Sequence, residues 1–490
     1  MSQKVSGYSP GTEAAYTNTA AAETRVAILY SYSFMKRGSS DSIVIHPLVH
    51  AWARERMSSE AKGKECEAAL KKIIATTRAS EGRSYIRTTE HLALERRLLP
   101  HIDIALSWIS ALPQPEEFVD QNAALWTDCG YLYSLHKRYA DAEKLYSRAL
   151  ESRTRLLGTN HLETSRTKLG LALSYRLEER YQEASQLLEH CLPVLENELG
   201  LDAFETCEAL RGLADTRKQQ SLLPEAIDLI ERAVTGHSHH LGPRHPQTLL
   251  GLESQALINK ALGQYKEALR VLEQVLAVNI EQLGGEHPNT LRNLLNKASI
   301  LINLDRLDES KTLFEQVFRS AETQFGPLDP FTLKTIHNLT FATFSLQQYS
   351  EAVPLCELVI AGREKTYGKN HMLTLSSVEL LGVIYHRQGL LEKGSTCLQA
   401  ALAGYKTLSG SSRSISVYRT LHYLAQLCVS QGKLSDAKSF YQEALEGHRN
   451  LLGPEHEATL RIAGDFVNFC ESQNWEEDAA SLKASYMLSL

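Results

Sequence analysis

The sequence predicts an all-α fold: a right-handed α-solenoid of about nine helix pairs, preceded by a small helical N-terminal region. Three periodic series of residues carry that prediction. Glycines stand at 158, 200, 242, 284, 326, 368, 410 and 453, spaced 42 residues apart six times and then 43. A second series of small residues runs Ala142, Ala184, Ala226, Ala268, Ser310, Ala352, Gly394, Ala437 and Ala479. A third begins Gly130, Ala172, Ala214, Ala256 and Ala298, twelve residues ahead of the second. Units repeating at this length cannot bury an apolar face alone, so they stack.

Residues 1–24 are rich in Ser, Thr, Ala and Gly without an apolar period, which predicts a disordered tail. Residues 25–115 read as a helical region. Within it Ile43-Val44-Ile45 is a short strand-like run, and His46 to Glu55 an amphipathic helix. Leu92 to Leu106 is alternately apolar and basic. The repeat occupies residues 118–490. In Leu283-Gly284-Gly285-Glu286-His287-Pro288 a left-handed glycine caps one helix and proline opens the next, and Leu241 to Pro246 repeats the signal. The first helix of a pair then carries Leu294, Ala298 and Leu301 at helical spacing. A break such as Leu262-Gly263-Gln264-Tyr265 leads into a second helix with Ala268, Leu272 and Val275. Small residues twelve apart let the two backbones approach closely where the helices cross. Tyr133, Tyr175 and Tyr385, three after the small residue, fill the adjoining hollow. Unit seven, with Gly394 and an inserted residue in the Ser409 to Ser416 loop, is expected to be the most mobile.

Composition narrows the function. Lys and Arg number 52 against 58 Asp and Glu, a net charge of −6, which lacks the cationic footprint of a nucleic-acid binder. Residues 1–112 hold 15 basic and 11 acidic side chains, so the rest of the chain is the acidic part. No run approaches the length of a membrane span, and Val26 to Tyr30 is too short for an export signal. Eight scattered cysteines without a Cys-x-x-Cys read as small buried side chains in a reduced, cytoplasmic protein. Neither a nucleic-acid nor a membrane partner is expected.

The spacing of Leu171-Ala172-Leu173-Ser174-Tyr175, Tyr181 and Ala184 resembles the tetratricopeptide repeat. With 42 residues per unit and the Leu-Gly-x-x-His-Pro-x-Thr-Leu connection, it looks like the kinesin light chain type. Ahead of it, His46, Leu48, Val49, Trp52 and Arg54 resemble the winged-helix end of a nucleotide-switch receptor of the fungal NACHT or NB-ARC (STAND) kind. That resemblance implies an ATPase module upstream, yet no Gly-x-x-x-x-Gly-Lys-Ser/Thr loop occurs in the chain. It therefore implies the repeat arm of such a receptor without its NTPase.

Sites of chemistry are sparse. His161, His245, His287, His371 and His456 share one repeat phase, too far apart for one metal, and read as helix caps. His237-Ser238-His239-His240 reads as structural, since no nearby Cys completes a tetrahedral set. Gly-x-Ser-x-Gly and His-Glu-x-x-His are absent, and no nucleophile, base and orienter assemble, so neither catalysis nor a cofactor or metal is expected.

The informative polar residues lie on the first helices. Arg166, Arg292, Lys334 and Arg419 stand six before the small residue or its equivalent, and Asn296 and Asn338 two before it. Arg292 with Asn296, and Lys334 with Asn338, are i, i+4 pairs one period apart, so both face one groove. An Asn amide can grip a peptide backbone and Arg or Lys a carboxylate. The resemblance implies that these positions form a peptide clamp; His337, Arg211, Lys218 and Asn303 lie at neighbouring phases. Replacing Asn296 and Asn338 by Ala is expected to weaken binding without lowering the melting temperature. Together these readings predict a non-catalytic scaffold or adaptor that binds a protein or peptide partner, with the sensor arm of a switch receptor as the alternative.

Overall fold

The computed structural model describes residues 35–37, 43–45, 58–81, 89–408 and 414–486. The tail expected at 1–24, the helix expected at 46–55 and positions 409–413 of the Ser409 to Ser416 loop lie outside these residues. Two three-residue strands, β1 (Met35–Arg37) and β2 (Ile43–Ile45), pair antiparallel with Lys36 opposite Val44. The chain divides into two units, Met1–Gln220 and Ser221–Leu490.

In the first unit the helices are α1 (Ser59–Glu81), α2 (Thr89–Ser110), α3 (Pro115–Leu135) and α4 (Tyr139–Leu157). They are followed by α5 (Leu162–Leu177), α6 (Tyr181–Leu199) and α7 (Phe204–Gln219). The hairpin α1–α2 shares one core with the first repeat. Leu70, Ile102 and Ile109 are buried in the same cluster as Val119, Trp126 and Tyr146. Polar contacts fasten the same join. The nearly buried Glu95 of α2 accepts from His136 at 2.9 Å, and Asp103 receives two hydrogen bonds from Arg138 and one from the Tyr133 hydroxyl.

The second unit opens with α8 (Leu223–Leu241), α9 (Pro246–Ala261), α10 (Tyr265–Leu283), α11 (Pro288–Asn303) and α12 (Leu307–Phe325). It continues with α13 (Pro330–Ser345), α14 (Tyr349–Tyr367), α15 (Met372–Arg387) and α16 (Leu391–Leu408). It ends with α17 (Ile415–Ser430), α18 (Leu434–Leu452), α19 (Glu457–Ser472) and α20 (Glu476–Tyr486). Eighteen helices therefore lie between Pro115 and Tyr486, the number that nine pairs require. The apolar interior is a row of small clusters, such as Leu291, Leu294, Phe314 and Val317, each made by neighbouring helices. That is the packing of a quasi-one-dimensional repeat.

The small residues sit where two backbones meet. Ala256, Ala268, Ala298, Ala352 and Ala437 are fully buried. Ser310, the one hydroxyl in its series, donates to the main-chain oxygen of Ala298, twelve residues earlier, at 2.8 Å. At Gly394 an added Cβ would lie 3.0 Å from the carbonyl oxygen of Gly382, the same offset of twelve. A larger side chain at either place would hold the pair apart.

The inter-repeat turn uses the predicted glycine in an unpredicted way. Gly158, Gly200, Gly242, Gly284, Gly326, Gly368 and Gly453 all have φ between +87° and +96°. At Gly158, however, ψ is 163°, so the residue is in the extended mirror-image region rather than the left-handed helical one. Only glycine occupies that region readily. The threonine six residues on closes the turn: Thr164, Thr206, Thr248, Thr290, Thr374 and Thr459 each donate to the glycine carbonyl at 2.8–2.9 Å.

Candidate functional site

The phase-locked histidines cap helices. His161, His245, His287, His371 and His456 each precede the first helical residue, and Nδ1 accepts the N–H two residues on at 3.1–3.2 Å. Asp329 takes the same place before α13 and accepts from Phe331 N–H at 2.8 Å. These contacts satisfy backbone donors that a helix start leaves without partners. Among the described residues no group of three or more His, Cys, Asp or Glu side chains is placed to hold a metal ion.

The six predicted groove residues fall into two sets. Arg292 on α11 meets Glu253 on α9 through two parallel hydrogen bonds, 2.8 and 2.9 Å, and Asn296 donates to the same carboxylate at 3.1 Å. Arg419 on α17 forms the equivalent fork with Glu379 on α15, at 3.2 and 2.6 Å, and the Thr420 hydroxyl joins it at 2.7 Å. Arg166 on α5 is shared between Glu163 at 2.6 Å and Glu205 on α7 at 3.0 Å. Each of these arginines therefore has a carboxylate supplied by its own chain. Bidentate pairs of this kind hold successive first helices in register.

Lys334 and Asn338 form the second set. On α13 Lys334 and Phe341 are exposed, Phe341 to 43%, while Asn338 is half-buried between them at helical spacing. The Asn338 amide has no hydrogen-bond partner among the described residues. Leu333, Ile336, Leu339 and Ala342 are buried on the other side of the helix. Asn296, by contrast, is 8% exposed and committed to Glu253. Its replacement reaches stability, so the expected neutrality of the double Asn variant is confined to Asn338.

Of the neighbouring candidates, Arg211 pairs with Glu208 and Asn303 donates to the Ser299 carbonyl, whereas His337 on α13 meets the Ser377 hydroxyl on α15 at 3.3 Å. Burial, and then the charges of Arg363 and Arg419, push the His337 imidazole down to about 3, so it is neutral at physiological pH.

Glu253 and Glu379 are the residues that the sequence reading misses. Their signal is an offset of one period less three residues: Arg166 to Glu205, Arg176 to Asp215 and Glu253 to Arg292 are each 39 apart. Glu379 to Arg419 is 40 apart, across the inserted residue. Phe341 is also missed, because an exposed aromatic and a core aromatic look alike in a helical period.

Charge is segregated between the two layers of the second unit. The first helices α9, α11, α13, α15, α17 and α19 carry seven Lys or Arg and five Asp or Glu, a net +2. The second helices α8, α10, α12, α14, α16, α18 and α20 carry twelve basic and twenty acidic residues, a net −8. No described helix is long and apolar enough to cross a membrane.

Family profiles described as tetratricopeptide repeat match residues 121–197, 205–281 and 252–323, and a second such profile matches 332–371 and 419–458. Together they cover more than half of the chain. Among solved structures, kinesin light chain-like, nearly identical tetratricopeptide-like repeats from Podosopora anserina are 28% identical. That match covers 42% of this chain and 98% of the other, with a TM-score of 0.37. A signal-transduction ATPase with numerous domains and a tetratricopeptide repeat sensor, from Pyrococcus horikoshii, is 13% identical. It matches over 86% of this chain and 58% of its own, with a TM-score of 0.51. The apo form of the quorum sensor NprR from B. thuringiensis is 16% identical over 73% of this chain and 97% of its own, with a TM-score of 0.50. The last two share the fold alone. The curated proteins contain no match. Repeats of this kind generally serve protein–protein interaction and are typically non-catalytic. The chain belongs to the tetratricopeptide repeat family.

Proposed function

We propose that this protein is a non-catalytic scaffold or adaptor, and that successive first helices of its second unit bind an extended or helical segment of a partner protein bearing acidic side chains. The observation that carries this reading is the face of α13. There an amide without a partner stands one turn from an exposed phenylalanine and one turn from an exposed lysine, Lys334. Such a face supplies a backbone grip, an apolar anchor and a positive charge together. The +2 charge of the first helices, set against −8 on the second, supports an acidic partner and directs it to this layer. Arg166, Arg292 and Arg419 serve the site by holding its helices in register.

The test begins with proximity labelling in the native cell to identify a partner, followed by affinity measurement with purified proteins. Asn338→Ala with Phe341→Ala weakens binding by about tenfold or more and leaves the melting temperature unchanged. Asn296→Ala lowers the melting temperature, because it strips a hydrogen bond from the buried Glu253. Unchanged affinity in the Asn338/Phe341 variant removes the reading.

A second reading, the sensor arm of a switch receptor, is supported by the join between α2 and α3. The shared core and the Asp103–Arg138 and Glu95–His136 contacts make the hairpin α1–α2 continuous with the first repeat. A movement passed to that hairpin would reach the repeats. An upstream reading frame with a phosphate-binding loop, producing a protein that co-purifies with this chain, favours the arm.

A further inference from the structure

The turn that opens α15 departs from its sister turns. Where α9, α11 and α13 begin with Pro246-Gln247, Pro288-Asn289 and Pro330-Phe331, α15 begins with Met372-Leu373. Phe331, which holds the place of Leu373 one repeat earlier, is half-buried and packs edge-on against Phe325 at 5.9 Å. Met372 and Leu373 are instead 44% and 41% exposed. Two apolar side chains thus stand in solvent where the sister turns place a proline and a polar or covered residue.

Contacts between helices bring a third apolar residue to these two. Arg363 near the end of α14 donates to the Leu373 carbonyl at 2.7 Å, and the Ser416 hydroxyl at the start of α17 lies 3.9 Å from Met372 Sδ. Leu375 on α15 packs against Gly404 on α16, where an added Cβ would lie 2.5 Å from its Cδ2. Leu408, one helical turn beyond Gly404 on the same face, therefore lies beside the start of α15, and it is 47% exposed. Lys365 on the last turn of α14, Lys369 in the connecting turn and Lys406 on the last turn of α16 are exposed. Among the described residues none of the three has a carboxylate within ion-pair distance. Residues 361–375, centred on Gly368, hold three Lys or Arg and one acid, the half-buried Glu364, a net +2. The corresponding windows on either side, centred on Gly326 and Gly453, carry −1 and −2.

We propose that Met372, Leu373 and Leu408, with Lys365, Lys369 and Lys406 around them, form a second docking surface. Its occupant is a short amphipathic segment of a partner protein, bearing aliphatic and acidic side chains. Apolar groups gathered on a surface mark a place that gains by being covered, and methionine adapts its shape to what covers it. The lysines, having no acid of their own, complement carboxylates on the segment. The acidic turns on either side favour a short segment over an anionic bilayer, whose extended surface would meet them too. This surface shares no residue with the α13 face, so neither reading depends on the other.

The test uses the full chain and a displayed library of random peptides of about 16 residues, long enough to cover one turn as a helix or strand. Recovered peptides are enriched in Asp or Glu together with aliphatic residues, and their affinity falls with rising salt. Two double variants map the site. Met372→Pro with Leu373→Gln installs the Pro246-Gln247 pair of a sister turn, and His371, extended at ψ 142°, suits a following proline. Lys365→Glu with Lys406→Glu installs the residue type found at the equivalent Glu281 and at the equivalent Glu322 and Glu364. Each variant keeps the unfolding midpoint and weakens the peptides by about tenfold or more, whereas Asn338→Ala with Phe341→Ala leaves their affinity unchanged. Peptides without an acidic and aliphatic bias, no recovered peptide, or equal affinity in either turn variant overturns the proposal. So does a set of peptides that all depend on Asn338 and Phe341, since these belong to the α13 face. Lysine-dependent sedimentation with phosphatidylserine–phosphatidylcholine vesicles overturns it in favour of a membrane. Self-association that the Met372/Leu373 variant abolishes overturns it in favour of a second copy of this chain.

Discussion

Two glycines on helices of the second unit should respond to the same substitution with opposite sign. At Gly394 on α16 an added Cβ would lie 3.0 Å from the Gly382 carbonyl oxygen, 3.0 Å from Leu427 Cδ1 and 3.2 Å from the His386 nitrogen. Two of these three neighbours are backbone and cannot swing away. At Gly464 on α19 nothing lies within 4 Å of the added atom. Alanine gains at most about 1 kcal/mol over glycine inside a helix, at both places. Overpacking a close crossing costs about 1–3 kcal/mol, at Gly394 alone. Gly464→Ala should therefore stabilise by nearly 1 kcal/mol, and Gly394→Ala should destabilise by about 1 kcal/mol. Urea unfolding followed by circular dichroism resolves a difference of that size. Hydrogen exchange across α15 and α16 locates it, which matters because long repeat arrays do not always unfold as one unit. If Gly394→Ala is as stabilising as Gly464→Ala, contact between backbones does not limit the approach of the paired helices, and the reason given for the small-residue series is wrong.

Two further outcomes follow from the caps and from the His337 imidazole. His287→Ala should lower the unfolding midpoint by an amount corresponding to about 1 kcal/mol, while His287→Asp, the residue type that nature places at 329, should hold it. His337, held near 3 in the fold against an ordinary 6.5, makes the folded state bind fewer protons than the unfolded chain below about pH 6.5. Its stabilisation is complete above that pH and is lost as the pH falls toward 3, at about 1.4 kcal/mol per unit. Unfolding free energies measured between pH 7 and 5 should show a slope that His337→Gln reduces by about one proton; an unchanged slope sinks the linkage.

The helix pairs were legible because their cause is local to the period. A backbone crossing admits only Gly, Ala or Ser, so Ala298 and Ser310 announce themselves at an offset of twelve wherever the pair recurs. The histidine caps were legible for the same reason, since a helix start has few ways to satisfy its N–H groups. Where the reading fell short, two conformations share one sequence signal. Glycine announces positive φ but not whether ψ is helical or extended; six of these turns add the threonine hydroxyl bond, and Gly326 is extended without it. Thr164 and its equivalents were visible as a series, but their role required the turn.

The candidate site was legible only in its location, because its chemistry is settled between repeats. Arg292 and Lys334 occupy the same phase and look alike in the sequence. What distinguishes them is the residue on the preceding first helix, 39 positions earlier: Glu253 for Arg292, and Leu295 for Lys334. An acid at that offset consumes the cation in holding two helices together. An apolar residue or a hydroxyl there, as with Leu295 before Lys334 or Ser299 after Lys260, supplies no such carboxylate. Recognition in this chain is therefore sought where the cross-repeat ladder of charges is interrupted. One interruption is explicit on α9 and α11, where Lys260 meets the Ser299 hydroxyl in place of a carboxylate.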